Sequence, residues 1–238
     1  MISIPLYLTQ EHACSYLDNQ AAQTLFVDPA YTITTRQYAE LIKQGFRRSG
    51  DEVYAPHCAN CFACVPARLA VADFIPNRNQ KRCLKKNSHT QALIKPAIFY
   101  EDHYLMYLRY QEDRHKDGGM VDFTPEEYIH FLSSLWCDTR FVEFSIGNEL
   151  AAVAVIDQFD NAWSAVYTFF EPKFSNYSLG TYAVLWEIEQ SRLEQREFLY
   201  LGFWIKNCQK MTYKSEYQPL QLLIDGQWNC QVPYNKSD

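Results

Sequence analysis

Three consecutive stretches decide the fold: RFVEFSI (140–146), ELAAVAVID (149–157) and WSAVYTFF (163–170). Each stretch is rich in the β-branched and aromatic residues that favour strands. The pairs Gly147-Asn148 and Asp160-Asn161 separate the stretches, and both pairs are typical of tight turns. The sequence therefore predicts an antiparallel meander of three strands.

Further elements lie on both sides of this meander. The predicted ones are a strand at 65–74, helices at about 101–116 and 124–136, a helix at 178–195, a strand at 198–205, a helix at 207–216 and a strand at 219–225. This order matches an α+β acyltransferase (GNAT-like) fold, a mixed sheet flanked by helices. In that fold the acyl donor lies where two neighbouring parallel strands splay apart, here WSAVYTFF and FLYLGFWI (198–205).

The chain changes character near residue 75. Residues 1–72 are rich in cysteine and turns, which predicts a small Cys-rich N-terminal module. Residues 73–238 carry the acyltransferase pattern, and the strand at 65–74 is assignable to either part. A chain of 238 residues is long enough for this division, since each part can contribute to a buried core.

Composition narrows the class of protein. Apolar residues make up 47% of the chain and charged residues 21%, which excludes an intrinsically disordered protein. With a net charge of −6, the chain as a whole is not basic enough to attract nucleic acid. Binding of nucleic acid would therefore require local patches of basic residues. No apolar run approaches the length of a membrane span, and the first residues lack a signal-peptide pattern. We therefore expect a cytoplasmic protein with no membrane partner.

Three cysteines follow the pattern C-x-x-C-x-x-C at Cys58, Cys61 and Cys64. Two-residue gaps allow successive thiolates to face one metal ion, which is why zinc and iron–sulfur sites use this spacing. Cys14 and Cys83 are the candidate fourth ligands. The alternative is a small core of reduced thiols without a metal.

Two groups of basic residues stand out in this acidic chain. The first group is Arg78, Lys81, Arg82, Lys85 and Lys86; the second is Lys206, Lys210 and Lys214, spaced four apart. The second spacing predicts one shared helical face. Such groups suit phosphates or carboxylates, and the alternative is a solvated helix surface.

The start of the helix at 178–195 faces the predicted acyl-donor position. Backbone amides at Ser178 and Gly180 are expected to point toward the donor. Tyr177 and Tyr182 stand where CoA-dependent enzymes of this fold carry Gln or Arg and a small residue, which disfavours CoA. No trustworthy Ser/His/Asp triad, HExxH or P-loop is present.

Segments along nearly the whole chain resemble the arginyl-tRNA–protein transferase family, in its short bacterial form. They are CSYL (14–17), GFRRSG (45–50), YAPHC (54–58) continuing through Cys64 to Arg68, the stretch 74–82, RYQEDRH (109–115), SAVYTFFEP (164–172), SLGTYAVL (178–185), and YLGFWI (200–205) through Pro219. The resemblance implies transfer of an amino acid from a charged tRNA to a protein's α-amine in the N-end rule pathway. Leu17 replaces a second cysteine of the eukaryotic branch.

The resemblance implies a leucine donor, Leu-tRNA, and acceptor proteins beginning with Asp or Glu. Arginyl transfer, CoA-dependent N-acetylation and a zinc-dependent RNA-binding protein are the alternatives. No cofactor is required for the chemistry, and a zinc ion or iron–sulfur cluster is expected at Cys14, Cys58, Cys61 and Cys64.

Individual roles follow for the remaining candidate residues. Lys81, Lys85 and Lys86 are expected to bind tRNA. Arg78 and Arg82, and after them Lys210 and Lys214, are expected to read the acidic acceptor residue, because a guanidinium clamps a carboxylate with two hydrogen bonds. Tyr167 and Tyr213 are expected to orient the reacting groups.

Overall fold

The computed structural model describes residues 3–116 and 118–230. Its strands are β1 (Leu6–Leu8), β2 (His12–Ala13), β3 (Ala21–Ala22), β4 (Thr24–Val27), β5 (Arg47–Ser49), β6 (Glu52–Pro56), β7 (Val65–Ala70), β8 (Gln91–Pro96), β9 (Thr139–Ile146), β10 (Glu149–Gln158), β11 (Ala162–Phe170), β12 (Phe198–Trp204), β13 (Leu220–Ile224) and β14 (Gln227–Cys230). Its α-helices are α1 (Thr35–Lys43), α2 (Arg78–Lys86), α3 (Glu101–Arg114), α4 (Pro125–Leu132), α5 (Leu179–Leu193) and α6 (Gln209–Thr212).

A mixed sheet lies at the centre of the molecule, in the order β14-β13-β7-β12-β11-β10-β9-β8. Strands β9, β10 and β11 form the predicted antiparallel meander. Strands β11 and β12 run parallel, because α5 crosses between them and returns the chain in the same direction. The predicted α+β mixed sheet of the GNAT-like type is therefore confirmed.

The two parallel strands separate soon after they begin. They pair at Ala162 with Phe198, at Trp163 with Leu199 and at Ser164 with Tyr200, and no further register continues the ladder. A bulge beside Tyr200 bends β12 away, and Gly202 takes a φ of +76° that favours glycine. The splay that accommodates an acyl donor in this fold is present between these strands.

Helices cover both faces of the sheet. Helix α5 buries Leu179, Ala183 and Ile188 against one face, and α2 packs beside it. Helices α3 and α4 bury Tyr107 and Tyr128 against the other face. Helix α4 begins as the sequence predicts, with a capping box at Thr124 and proline at the first helical position.

The N-terminal residues add a second sheet in the order β1-β4-β6-β5 and helix α1. A shared core joins them to the large sheet, in which Tyr38 of α1 packs with Phe159 and Tyr200. Strand β7 lies inside the large sheet between β12 and β13, although it comes before residue 72. The division into modules at 1–72 and 73–238 stays a prediction.

The predicted lysine face at 206–216 is wrong. Helix α6 ends at Thr212, and a 3-10 turn follows at Tyr213–Glu216. Lys210 is exposed while Lys214 is buried, so the two do not share one solvent face. The predicted strand at 65–74 also ends early, at Ala70, where a 3-10 turn begins.

No helix within the described ranges has the length and apolar character needed to cross a membrane.

Candidate active site

Helix α5 begins beside the splay with an open N-terminus. Ser178 precedes the helix with a left-handed φ of 55°, and its side chain makes no capping hydrogen bond. A Cβ added at Gly180 would meet nothing within 4 Å, so the space before this turn is clear. The 15-residue helix α5 therefore starts without a side-chain cap and with open space beside Gly180, which suits an anionic group.

The two predicted tyrosines, Tyr167 and Tyr213, share an electrostatic neighbour, Tyr110, that the sequence did not single out. Gln111 Nε2 of α3 donates a hydrogen bond to the Tyr167 hydroxyl at 2.8 Å. Burial raises the pKa of Tyr167, and the neighbouring Tyr110 adds to this effect. Tyr213 is 48% exposed as a whole residue, and desolvation of its hydroxyl, followed by Glu187 and Tyr110, raises its pKa. Tyr167 and Tyr213 therefore keep their hydroxyl protons at neutral pH.

Glu187 of α5 is a fully buried carboxyl group next to this cluster. Among the described residues, no donor reaches either of its side-chain oxygens. Burial alone raises its pKa to about 8, so the group is mostly protonated at neutral pH. Glu187 lies close enough to Tyr213 and Tyr217 to raise the pKa of both hydroxyl groups.

Two buried cationic side chains from other elements contact β12 just beyond the point where β11 and β12 separate. An Arg47 Nη donates to the carbonyl oxygen of Gly202 at 3.2 Å, and Lys214 Nζ donates to that of Phe203 at 2.5 Å. Burial, followed by the nearby charge of Arg47, lowers the pKa of Lys214 to about 7.

Helix α2 carries the first basic group on an exposed surface. Arg78, Lys81, Arg82, Lys85 and Lys86 are all exposed. Lys86 Nζ donates to the Asn176 carbonyl oxygen at 2.6 Å and lies 5.3 Å from the centre of the Tyr177 ring. These contacts place the end of α2 beside the start of α5, so the basic surface and the open helix N-terminus are neighbours.

Four cysteines converge on one cavity of about 680 Å³. Cys14, Cys58, Cys61 and Cys64 all line it. Burial, followed by the nearby thiols of which Cys14 is the first, raises the pKa of Cys64 to about 12. Crowded thiols resist ionisation in the absence of a cation and become thiolate ligands when one binds, so this donor set fits a thiolate-binding metal or cluster.

The cysteine sulfurs are not gathered at ligand spacing. Among the described residues, the group whose potential ligand atoms all lie within 4.8 Å of one another is Asp102, His103 and Glu143, on α3 and β9. There Glu143 Oε1 already accepts from Lys95 at 2.7 Å, so its charge is balanced by a lysine. The other candidate fourth ligand, Cys83, is a buried residue of α2 and does not line the cysteine cavity.

The sequence reading missed Arg47, Tyr110, Gln111 and Glu187. Arg47 lay inside the quoted GFRRSG segment, and Tyr110 and Gln111 lay inside RYQEDRH, but no spacing rule marked them. Glu187 had a usable signal, because it interrupts the apolar stripe between Ala183 and Ile188 on α5. Burying a lone carboxyl group on an apolar helical face costs folding free energy, and such a residue therefore indicates a functional site.

Parallel strands that splay beside an open helix start define an acyltransferase of the GNAT-like class. Two family models match the chain, "Arginine-tRNA-protein transferase, N terminus" over residues 12–82 and "Arginine-tRNA-protein transferase, C terminus" over residues 102–224. The chain belongs to the arginine-tRNA-protein transferase family.

Curated relatives carry a more specific name, aspartate/glutamate leucyltransferase. The protein of that name from Alcanivorax borkumensis is 46% identical over 99% of this chain and 97% of its own length. The one from Pseudomonas fluorescens strain Pf0-1 is 49% identical over 94% of this chain and 96% of its own. The one from Teredinibacter turnerae is 47% identical over 96% and 94%.

Solved structures with a similar chain path include FemX and L-PGS from Bacillus licheniformis. FemX aligns with a TM-score of 0.48 and 7% identity over 86% of this chain and 81% of its own. L-PGS aligns with a TM-score of 0.42 and 12% identity over 73% of this chain and 51% of its own.

Proposed function

We propose that the protein transfers leucine from Leu-tRNA to the α-amine of proteins beginning with Asp or Glu. The observation that carries this proposal is the identity of 46–49% to aspartate/glutamate leucyltransferases over nearly the whole of both chains. The splayed sheet supports it, because such a site holds an acyl donor. Proteins that receive leucine would then be degraded by the N-end rule pathway. Because the donor is a charged tRNA, the transfer is proposed to occur in the cytoplasm.

The proposed reaction is aminolysis of an ester. The acceptor nitrogen attacks the leucyl carbonyl carbon, a C–N bond forms, the ester C–O bond breaks, and the tRNA ribose oxygen leaves with a proton. The α-amine has an ordinary pKa of about 7.7 to 8.0, so a neutral fraction is available at cellular pH. No cofactor is needed for this step, and catalysis is mainly orientation and charge stabilisation.

Tyr167 and Tyr213 are proposed to orient the reacting groups. Their raised pKa values keep both phenols protonated, so each can donate a hydrogen bond to a developing oxyanion or to the leaving oxygen. Gln111 holds Tyr167 by donating to its oxygen, which leaves the phenol proton for the substrate. The amides at Ser178 and Gly180 are proposed to face the donor end of the tRNA.

The exposed surface of α2 is proposed to bind tRNA phosphates through Lys81, Lys85 and Lys86. An acidic protein needs such a local cluster to approach a polyanion. Arg78 and Arg82 stay candidates for reading the acidic acceptor. Their exposure on the same surface also suits phosphates, and the variants below separate the two roles.

Removing the three lysine charges is expected to weaken tRNA binding. In the variant Lys81→Gln/Lys85→Gln/Lys86→Gln, the dependence of log affinity on log salt should flatten by roughly 2, because fewer counterions are released. Filter binding of Leu-tRNA over a salt series measures this slope.

The matched control for the tRNA prediction is Lys43→Gln/Lys173→Gln, which removes exposed lysines paired with Glu40 and Glu149. The control should keep the wild-type slope. A triple variant with an unchanged slope would place the tRNA on another surface. Loss of Asp-peptide selectivity in Arg78→Ala or Arg82→Ala, with tRNA affinity intact, would assign those arginines to the acceptor.

The donor is tested with purified protein and an Asp-initiated peptide. Leu-tRNA, Arg-tRNA and acetyl-CoA are supplied separately, and mass spectrometry identifies the group added to the peptide. Leucine addition from Leu-tRNA alone is the expected result. Addition from Arg-tRNA alone would move the protein to arginyl specificity, and addition from acetyl-CoA would make it an N-acetyltransferase.

The four converging cysteines are proposed to hold a zinc ion or an iron–sulfur cluster with a structural or redox-regulatory role. Cys14 and the Cys58, Cys61 and Cys64 triplet would supply the thiolates. Such a group would fix the N-terminal segment against the loop before β7, because ligand bonds replace contacts that the small module lacks.

Anaerobic purification followed by metal analysis and visible absorption tests the cysteine site. The variant Cys61→Ser/Cys64→Ser should lose the bound metal, while the control Cys230→Ser, which changes an exposed cysteine on β14, should keep it. A wild-type protein that is free of metal after anaerobic purification and fully active would contradict the proposal.

A further inference from the structure

Two buried cationic side chains donate hydrogen bonds to consecutive backbone carbonyl groups of β12, at the point where this strand separates from β11. Arg47 and Lys214 are each only 6% exposed. Their nitrogens bond the carbonyl oxygens of Gly202 and Phe203, at 3.2 Å and 2.5 Å. A Cβ added at Gly202 would stand 3.6 Å from Lys214 Nζ, so the glycine leaves room beside the ammonium group.

Neither cation has an acidic partner. Among the described carboxylates, none forms an ion pair with Arg47 or Lys214. The adjacent Arg48 is also buried, yet it pairs fully with Asp157. Arg47 instead bonds backbone carbonyls, and its Nε has no partner within the described ranges. Carbonyl dipoles do not neutralise a full charge, so burial and the neighbouring Arg47 lower the pKa of Lys214 to about 7. An anion between the two groups would favour the charged ammonium form of Lys214 and offset this cost.

The surroundings suit a small anion. The Arg47 guanidinium lies 5.5 Å from the ring centres of Tyr200 and Phe203, and Met211 Sδ is 3.2 Å from Lys214 Nζ. Walls of this kind exclude water and strengthen a charge pair. A phosphodiester chain needs an extended exposed surface, which α2 already offers, whereas two buried cations suit a single small anionic group such as a carboxylate.

We propose that Arg47 and Lys214 together receive the side-chain carboxylate of the acceptor's N-terminal Asp or Glu. This assignment rests on the proposed leucyl transfer and identifies the part of the site that selects the acceptor. It places the acidic side chain against β12 at the splay, so the neighbouring α-amine lies on the side of the acyl donor. Asn and Gln have no charge to offer the two cations, so they are rejected.

The test compares Asp- and Asn-initiated peptides in the full-length protein with saturating Leu-tRNA. Lys214→Met should lower kcat/KM for the Asp peptide about 100-fold, mainly through KM, because one partner of a buried charge pair is lost. It should leave the Asn peptide unchanged, and Lys214→Arg should recover much of the selectivity. The control Lys43→Met, at an exposed lysine paired with Glu40, should keep the wild-type ratio.

Equilibrium binding keeps this test separate from the transfer reaction. Calorimetry of both peptides without tRNA should show the wild-type protein preferring Asp and Lys214→Met binding the two alike. This result is expected even if the donor proves to be another aminoacyl-tRNA. An unchanged Asp-to-Asn ratio in folded Lys214→Met, in binding and in transfer, overturns the assignment. If Lys214→Met instead weakens Leu-tRNA binding with the ratio intact, the two cations receive a tRNA phosphate.

Arg47→Met removes the other cation but also the bonds that join β5 to β12. If this variant or Lys214→Met fails to fold, the more conservative Arg47→Lys and Lys214→Gln replace them. Each variant should lower the ratio of Asp-peptide affinity to Asn-peptide affinity at least 10-fold. A wild-type ratio in both folded variants also overturns the proposal.

Discussion

Replacing Arg48 by methionine is expected to lower the free energy of unfolding by about 3 to 5 kcal/mol. The Arg48 and Asp157 side chains are both fully buried. Nε and one Nη of Arg48 each donate to an Asp157 oxygen at 2.7 Å, and Thr139 donates to the same carboxylate at 2.7 Å. The other guanidinium hydrogens bond backbone carbonyls, including that of Leu132. The methionine variant leaves the aspartate charge buried without its guanidinium partner.

This ion pair also joins two parts of the chain, because Arg48 lies on β5 of the N-terminal sheet and Asp157 on β10 of the large sheet. Urea unfolding of Arg48→Met measures the loss. The control is Arg140→Met, at an arginine whose pair with Asp138 is exposed, and its effect should stay below about 1 kcal/mol. The double variant Arg48→Met/Asp157→Leu should recover much of the stability, since no buried charge remains. Equal losses in Arg48→Met and Arg140→Met would contradict this account.

Replacing Glu187 by glutamine is expected to stabilise the protein at pH 8 and to do little at pH 4. Glu187 has a pKa of about 8 in the folded state, against an ordinary value of about 4.3 in an unfolded chain. Between these values the unfolded state loses the proton while the folded state keeps it. Stability therefore falls as pH rises through this range, by roughly 3 to 5 kcal/mol in total.

Glutamine has the shape of the protonated acid and does not ionise, so Glu187→Gln removes this dependence. Its advantage over wild type should be near zero at pH 4 and below, and largest at pH 8 and above. Thermal unfolding across that pH range measures it. The control Glu189→Gln, at an exposed residue of the same helix paired with Arg192, should show no such trend. A Glu187→Gln effect that does not vary with pH would mean that the buried carboxyl titrates normally.

Six of the eight strands of the large sheet, β7 and β9 to β13, were predictable from local sequence patterns, whereas the edge strands β8 and β14 were not predicted. The stretches of β9, β10 and β11 are long, apolar and separated by turn pairs, and a helix between β11 and β12 implies a parallel pair. Strands β1, β2 and β3 were missed, since they contain two or three residues each and owe their form to pairing partners. The helix at 207–216 was overextended, because lysine spacing carried no information about the buried position of Lys214.

The site was predictable only where one segment carries it. The sequence marked the cysteine triplet and the start of α5, both of which are local patterns. Arg47 and Lys214 bond neighbouring carbonyl groups of β12 but lie 167 positions apart in the chain. Local spacing in the sequence cannot predict that two such distant residues lie near one another. For the same reason, one sequence could not distinguish Arg48, which has an aspartate partner, from Arg47, which has none.

The measurement that tests the central claim most directly follows labelled leucine from Leu-tRNA into peptides that differ only at the first residue. Asp, Glu, Asn, Gln and Ala are compared, together with N-acetylated Asp as the control for the α-amine. The account predicts leucine on the free Asp and Glu peptides, at least about 100-fold faster than on the neutral ones, and none on the acetylated peptide. Equal labelling of all free peptides, or no labelling of the acidic ones, would contradict it.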